Sequence, residues 1–163
     1  MRRSLGSTST RTFAVWPAAL ALEQAFTRRR PHLSGLPLLA SGYALYRLAG
    51  AHRLPRAGGP PGMTGMPGRL VEDGPYRLSR NPMYTGHLVF LAGLVVTTRS
   101  PWSAGLLAAH VPWFRARVRR DEQRLRERFG PAYDHYCVQV PRWLPGPVRF
   151  AALVRRPGTW QSA

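Results

Sequence analysis

The sequence contains no lysine: all 24 of its basic residues are arginine, set against only seven carboxylates. The resulting formal charge of +17 calls for an anionic partner, and nucleic acid and an anionic lipid surface meet that requirement equally well. Coding bias toward Ala, Pro, Gly and Arg also explains the missing lysine, so part of the excess charge is discounted. A lone cysteine, Cys137, excludes an intramolecular disulfide and any multi-cysteine zinc site. His87, His110 and His135 lack metal-ligand spacing, which leaves no expected metal site and makes them packing or interfacial residues. Met1-Arg2-Arg3 is followed by Ser and Thr instead of an apolar run, so no signal peptide is expected and a cytoplasmic N-terminus is the default. The length fits one domain and leaves no room for a second catalytic module.

Long apolar runs are also missing. Phe13 to Phe26, Leu33 to Ala49, Met83 to Val96 and Trp102 to Phe114 are apolar, yet each falls short of the roughly 20 residues that cross a bilayer unaided. Asn81 before Pro82, and Ser100 before Pro101, each place an N-cap acceptor ahead of a first-turn proline, so two helices are predicted to start there. The short connection Thr97 to Ser100 forces them into an antiparallel hairpin. Pro112 is expected to kink the second helix where the apolar run gives way to Arg115, Arg117, Arg119 and Arg120. Beyond it, Leu125 and Phe129 lie one turn apart among charges, and Gly130-Pro131 supplies the stop, which predicts an amphipathic interfacial helix. Trp102, Trp113 and Trp143 near the ends of apolar runs fit an interfacial aromatic belt or core packing.

From Arg53 to Gly68 the chain is rich in Gly and Pro and reads as a flexible loop; no Lys with Ser or Thr follows, so it is not a phosphate cradle. Arginines crowd Arg69 to Arg80 and Arg115 to Arg128 but touch the hairpin tip only at Arg99, so the tip should face away from the cytoplasm. The same orientation strands Arg28, Arg29 and Arg30 on the outer side.

The chemistry concentrates in Gly74 to Gly86, which packs Tyr76, Arg80, Asn81, Pro82 and Tyr84 around one helix start. A helix N-terminus favours an anion and Arg80 adds a bidentate donor, so an anionic group is expected there. Asp121-Glu122 is an acidic pair among Arg119, Arg120, Arg124 and Arg126. It serves either as a solvated salt-bridge face or as acceptor for a cation and hydroxyls, groups that S-adenosylmethionine carries.

Gly74-x-Tyr76, Arg80-x-Pro82-x-Tyr84-x-Gly86, an apolar hairpin, Asp121-Glu122, Phe129-Gly130-x-x-Tyr133-x-x-Tyr136 and Val140-Pro141 follow one another in order and spacing. This ordered set, covering roughly the second half of the chain, resembles the isoprenylcysteine carboxyl methyltransferase and phospholipid methyltransferase-like families. The resemblance implies an all-α, integral-membrane bundle of about four apolar helices. It also implies a C-terminal hairpin, an interfacial amphipathic helix and S-adenosylmethionine bound without a Rossmann domain. By position it implies cofactor binding by Tyr76, Arg80, Asn81, Pro82, Tyr84, Asp121 and Glu122, with Arg80 and Glu122 as the catalytic pair. Asn81 stands where the family has His, Asp121 replaces the first Glu, and Gln139 replaces an Arg before Val140-Pro141. Asn cannot titrate near neutrality, so no proton transfer is assigned to it.

The expected protein is thus a single methyltransferase domain. It comprises N-terminal helices over 13–49, a Gly/Pro-rich loop over 53–73, the signature region over 74–145 and a basic tail over 146–163. It should sit in the cell membrane with its site on the cytoplasmic side and act on a lipophilic or lipidated acceptor, with no nucleic acid as partner. The alternatives are a sterol-reductase-like membrane oxidoreductase using NADPH, a basic nucleic-acid-binding module, and a catalytically silent family relative.

Overall fold

The computed structural model describes residues 7–58 and 67–144. The Met1 to Arg3 start, the centre of the Gly/Pro-rich stretch and the basic tail lie outside the described residues. All regular elements among the described residues are helical, as the all-α expectation requires. An N-terminal arm combines an α turn, Thr8–Thr10, a π segment, Arg11–Val15, and α1, Trp16–Thr27. Pro17 has no N–H for the Phe13 carbonyl and its ring crowds that group, so the wider π turn falls where the regular ladder is broken. A 3-10 turn, Leu33–Gly35, leads into α2, Leu36–Ala57; a second, Gly74–Arg77, precedes α3, Pro82–Thr98. Helices α4, Pro101–Phe129, and α5, Pro131–Gln139, complete the described chain.

Two sequence expectations change here, the Ser100 cap holds, and α4 stays one element across Pro112. Helix α2 runs on through Arg53 to Ala57, where a loop was expected. Pro55 gives up one ladder bond, the neighbouring Arg56 guanidinium donates to the His52 carbonyl at 3.1 Å, and the helix ends at Gly58 with φ +57. Gly68 and Arg69 then return their N–H groups to the Ala57 carbonyl, at 2.6 and 3.0 Å, so the chain leaving α2 comes back to its end. Asn81 is not a side-chain cap: its carbonyl accepts from Thr85, and its amide side chain turns elsewhere. Ser100 does cap α4, its Oγ accepting from the Trp102 N–H at 3.1 Å. Finally, α4 passes through Pro112 as one helix to Phe129, with the proline on its exposed side.

The centre of the bundle is the α2–α3 pair, and glycine sets its separation. A Cβ on Gly42 would lie 2.5 Å from the Phe90 backbone N, and one on Gly86 would lie 2.7 Å from the Gly42 carbonyl. One on Gly93 would meet the Leu39 N at 2.8 Å, and one on Gly35 the Gly93 carbonyl at 2.7 Å. Gly42 on α2 with Gly35 in the turn just before it, and Gly86 and Gly93 on α3, are each spaced by about two turns, so both segments present a side-chain-free groove to the partner's backbone. Around this pair Leu20, Tyr84, Leu91, Leu94, Phe114 and Val118 form the main core.

Both turns meet at one end of the bundle. The His32 N–H donates to the Thr97 carbonyl at 2.7 Å, and Ser100 Oγ donates to Glu23 Oε1 at 2.6 Å. Arg28, Arg29 and Arg30 therefore share an end with Arg99, opposite the arginine-rich site end. Ser100→Ala removes both the cap and the Glu23 bond and is expected to cost about 1–2 kcal/mol, read as a fall of several degrees in Tm. An unchanged melting curve would show that this joint carries no stability.

Along α1, α2 and the first half of α4, most solvent-facing positions are apolar, with Leu22, Phe26, Leu48 and Trp102 all more than 60 % exposed, although Ser41, Arg47 and Arg56 of α2 are exposed as well. No helix among the described residues is long and apolar enough to cross a membrane.

Candidate functional site

The segment Gly74 to Asn81 descends onto the start of α3 and is pinned by its neighbours. Tyr76 is buried against Ala49, Ala57 and Val71, and its carbonyl accepts from Tyr136 OH at 2.7 Å. Burial pushes the Tyr76 phenol up to about 12, and burial likewise raises Tyr136 well above the usual phenol range. Both are therefore neutral hydroxyls at working pH, donors and walls instead of bases.

A cleft opens between this segment, α4 and α5. Its walls include Tyr76, Arg80, Asn81, Pro82 and Tyr84 from the α3 approach, Asp121, Arg124 and Leu125 from α4, and Tyr136 from α5. Arg53 and the stretch from Pro67, including Arg69, Leu70 and Val71, close the remaining side. Six of the seven expected cofactor-binding residues thus share one cavity. The seventh, Glu122, is 5 % exposed and lies behind the wall, outside the lining.

Tyr84 and Asp121 are joined directly: the Tyr84 hydroxyl donates to Asp121 Oδ2 at 2.6 Å and accepts from Arg117 Nε at 3.1 Å. Asp121 Oδ1 has only the exposed Arg124 guanidinium near it, at 3.6 Å. Glu122 is fully engaged. Its Oε1 accepts from Asn81 Nδ2 at 3.1 Å with Arg80 at 3.5 Å, and its Oε2 accepts from the Arg142 Nε and terminal nitrogen at 2.9 and 2.7 Å. The two residues expected to be catalytic, Arg80 and Glu122, thus contact each other, at 3.5 Å. The Nε of Arg80 is buried with no hydrogen-bond partner among the described residues.

Arg142, Arg117 and Ser79 were not singled out in the sequence. Gln139, which stands in place of an Arg, meets His135 on the surface at 2.6 Å. Three residues on, Arg142 supplies the cation. The Pro141 and Arg142 carbonyls accept from the Arg80 N–H at 2.9 Å, from Ser79 Oγ at 3.3 Å and from Asn81 Nδ2 at 3.2 Å. The only available signal was an arginine directly after Val140-Pro141 in a chain that is full of arginine. His87 is buried among Phe13, Tyr46 and Phe114, donating through Nδ1 to the Met83 carbonyl at 2.7 Å, a packing role. His110 bonds the Leu106 carbonyl in the same way, and Trp102 and Trp113 are surface-exposed.

Fold and cleft together define a small helical protein whose main described cleft is assembled at helix ends, without a nucleotide-binding sheet among the described residues. Residues 31–132 match the phospholipid methyltransferase family, and with well over half of its length inside that match the chain belongs to this family. It is 35% identical over 79 residues to protein-S-isoprenylcysteine O-methyltransferase B of Arabidopsis thaliana, covering 47% of this chain and 40% of the relative. It is 34% identical over 76 residues to the nickel-cobalt-cadmium resistance protein NccN of Alcaligenes xylosoxydans xylosoxydans, covering 47% and 36%. The probable protein-S-isoprenylcysteine O-methyltransferase of Oryza sativa subsp. japonica is 35% identical over 79 residues, covering 47% and 41%. The chain thus matches about two-fifths of the length of these relatives. No solved structure matches it.

Proposed function

We propose that this chain binds S-adenosylmethionine in the cleft and transfers its methyl group to a lipophilic or lipidated acceptor at a membrane, a carboxylate being one acceptor class the site suits. The observation that carries the reading is the cleft's charge pattern: one carboxylate, Asp121, facing a wall of arginines and apolar side chains. A ligand with a sulfonium, an ammonium and a carboxylate matches it. Asp121 would take the positive charge, Arg80 the carboxylate tail, and Tyr76, Leu70, Val71 and Leu125 the flat adenine. Bound there, the cofactor supplies an electrophilic methyl group.

What the protein must add is alignment, because displacement at a methyl carbon needs the nucleophile in line and dissipates charge as it proceeds. The cleft's other polar groups offer no base: Asn81 does not titrate, Tyr76 and Tyr136 hold their protons, and the Asp121 carboxylate is assigned to the ligand's positive charge. A carboxylate acceptor arrives already nucleophilic and asks for no base.

Membrane association is part of the proposal. Leu22, Phe26, Leu48 and Trp102 face outward on one length of the bundle, and the arginines of α4 begin where that surface ends. The site end is the arginine-rich end, which the positive-inside tendency assigns to the cytoplasm. An acceptor with an apolar tail would then reach the cleft from the lipid.

Isothermal calorimetry on the detergent-purified chain tests the cofactor directly: S-adenosylhomocysteine should release binding heat with micromolar affinity. Absence of heat at millimolar ligand, with heat from NADPH in its place, would replace the methyltransferase reading with a reductase. Arg80→Ala should lower methyl transfer to a membrane-extract acceptor by about tenfold or more, the scale of a lost charged hydrogen bond. Undiminished transfer would remove Arg80 from the site.

A further inference from the structure

The two adjacent carboxylates of α4 are in opposite situations. Glu122 has both oxygens occupied by protein cations and amide, is 5 % exposed, and does not line the cleft. Asp121 lines the cleft, and beyond the Tyr84 hydroxyl its nearest cation is the exposed Arg124, 3.6 Å away. Side chains one residue apart on a helix point about 100° away from each other, so a single turn of α4 offers one carboxylate to the cavity and the other to the wall behind it.

Behind that wall the contacts form a clamp. Arg142 grips Glu122 through two nitrogens, and the backbone around Arg142 in turn accepts from Ser79, Arg80 and Asn81. Asn81 Nδ2 bridges the two, donating both to Glu122 and to the Arg142 carbonyl. Arg80 and Asn81 are themselves cleft walls. Glu122 therefore reaches the cavity only through residues that it holds in place.

Resting on the cofactor reading above, we propose that Asp121 is the residue that meets the ligand's positive charge, and that Glu122 with Arg142 is a positioning pair that never touches the ligand. The pair fixes the 79–81 segment so that Arg80 and Asn81 face the cavity. A residue outside the helical bundle, Arg142, thereby becomes part of the site's machinery. Because Arg142 is 43 % exposed, its replacement leaves the folded core intact and keeps the test open even where a Glu122 variant folds poorly.

The test has two arms. In the first, S-adenosylhomocysteine affinity is measured for Asp121→Asn, Glu122→Gln, Arg142→Gln and the Glu122→Gln/Arg142→Gln double variant. Asp121→Asn should weaken binding by about thirtyfold or more, and each clamp variant by about tenfold, the range for charged hydrogen bonds. The double variant should be about as weak as either single one, since the two side chains act as a unit. Arg142→Lys should recover part of the loss. Wild-type affinity in Asp121→Asn, or an additive, roughly hundredfold loss in the double variant, overturns the proposal.

The second arm needs no ligand. Amide exchange at Arg80, whose N–H is bonded to the Pro141 carbonyl, should quicken in both clamp variants and stay at the wild-type rate in Asp121→Asn. If wild-type protein binds no S-adenosylhomocysteine, the cofactor reading fails and the clamp is still judged here. Unaltered exchange in Glu122→Gln and Arg142→Gln overturns the clamp whatever the ligand does.

Discussion

Replacing Gly86 with leucine is expected to drive α2 and α3 apart and to be among the most damaging substitutions in the bundle. The position where its Cβ would stand is 2.7 Å from the Gly42 carbonyl and 2.8 Å from the Tyr46 N. Both are backbone atoms, which cannot swing aside as a side-chain end can. Overpacking a core typically costs about 1–3 kcal/mol when neighbours yield; here the whole helix must move, so a loss beyond 3 kcal/mol is expected. Gly105 supplies the contrast. A Cβ there meets nothing, and Gly105→Ala within α4 should stabilise by up to about 1 kcal/mol through helix propensity and reduced unfolded-chain freedom. Thermal unfolding of the two variants in the same detergent reads both effects, and a Gly86→Leu protein melting with the wild type would show that the helices are not held at this distance.

The glycine groove also marks what sequence reading can and cannot reach. Four apolar helices, the hairpin after Thr98 and the Gly130 stop were legible because each follows from a local rule: an apolar run, a proline at a first turn, a glycine at positive φ. Gly42 and Gly86 act across 44 positions of chain, and nothing in either helix alone says that the two face one another. The stretch from Arg53 read as a loop, yet α2 runs on through Pro55 to Ala57, where the returning Gly68 and Arg69 bond its last carbonyl.

Within the site, the ordered residues Tyr76, Arg80, Asn81, Pro82, Tyr84 and Asp121 could be picked from the sequence and do line one cleft. What could not be read was direction. Asn81 has the chemistry of an N-cap, and a cap is the local expectation. The structure turns its amide to a carboxylate 41 residues away instead, because Glu122 and the Arg142 carbonyl offer two acceptors at once. Glu122 and Asp121 look interchangeable in the chain, and helical rotation alone separates the one that faces the cavity from the one behind it.

Arrangement of charge completes the picture. The hairpin geometry requires Arg28, Arg29 and Arg30 at the Arg99 end, and the His32–Thr97 and Glu23–Ser100 bonds place them there. The charge rule alone argued the reverse. The site end still carries the greater number of arginines, so the asymmetry survives in weaker form. Reconstitution into vesicles with protease added outside gives the orientation, and cleavage confined to the end that carries Arg28 to Arg30 and Arg99 is the outcome expected when the site faces inward.

Phe114→Ala should unite a stability loss with a loss of ligand affinity, although Phe114 is not part of the cleft. The ring is fully buried and touches Tyr84 at 5.4 Å, His87 at 5.4 Å, His110 at 5.8 Å and Trp113 at 5.0 Å between centroids. Truncation leaves a cavity and costs about 3–5 kcal/mol, the upper end being expected because four rings lose a neighbour. Tyr84 is the member that matters for function. Its ring leans on Phe114 while its hydroxyl is bonded to Asp121, so releasing the ring loosens the carboxylate that faces the cavity. Tyr84→Phe separates the two effects: it keeps the ring against Phe114 and deletes only the hydroxyl, so it should melt within about 1–2 kcal/mol of the wild type while still binding S-adenosylhomocysteine less tightly. Should Phe114→Ala lose stability but bind with wild-type affinity, Tyr84 would be held by its Asp121 and Arg117 bonds alone, and the core would have no hold on the site.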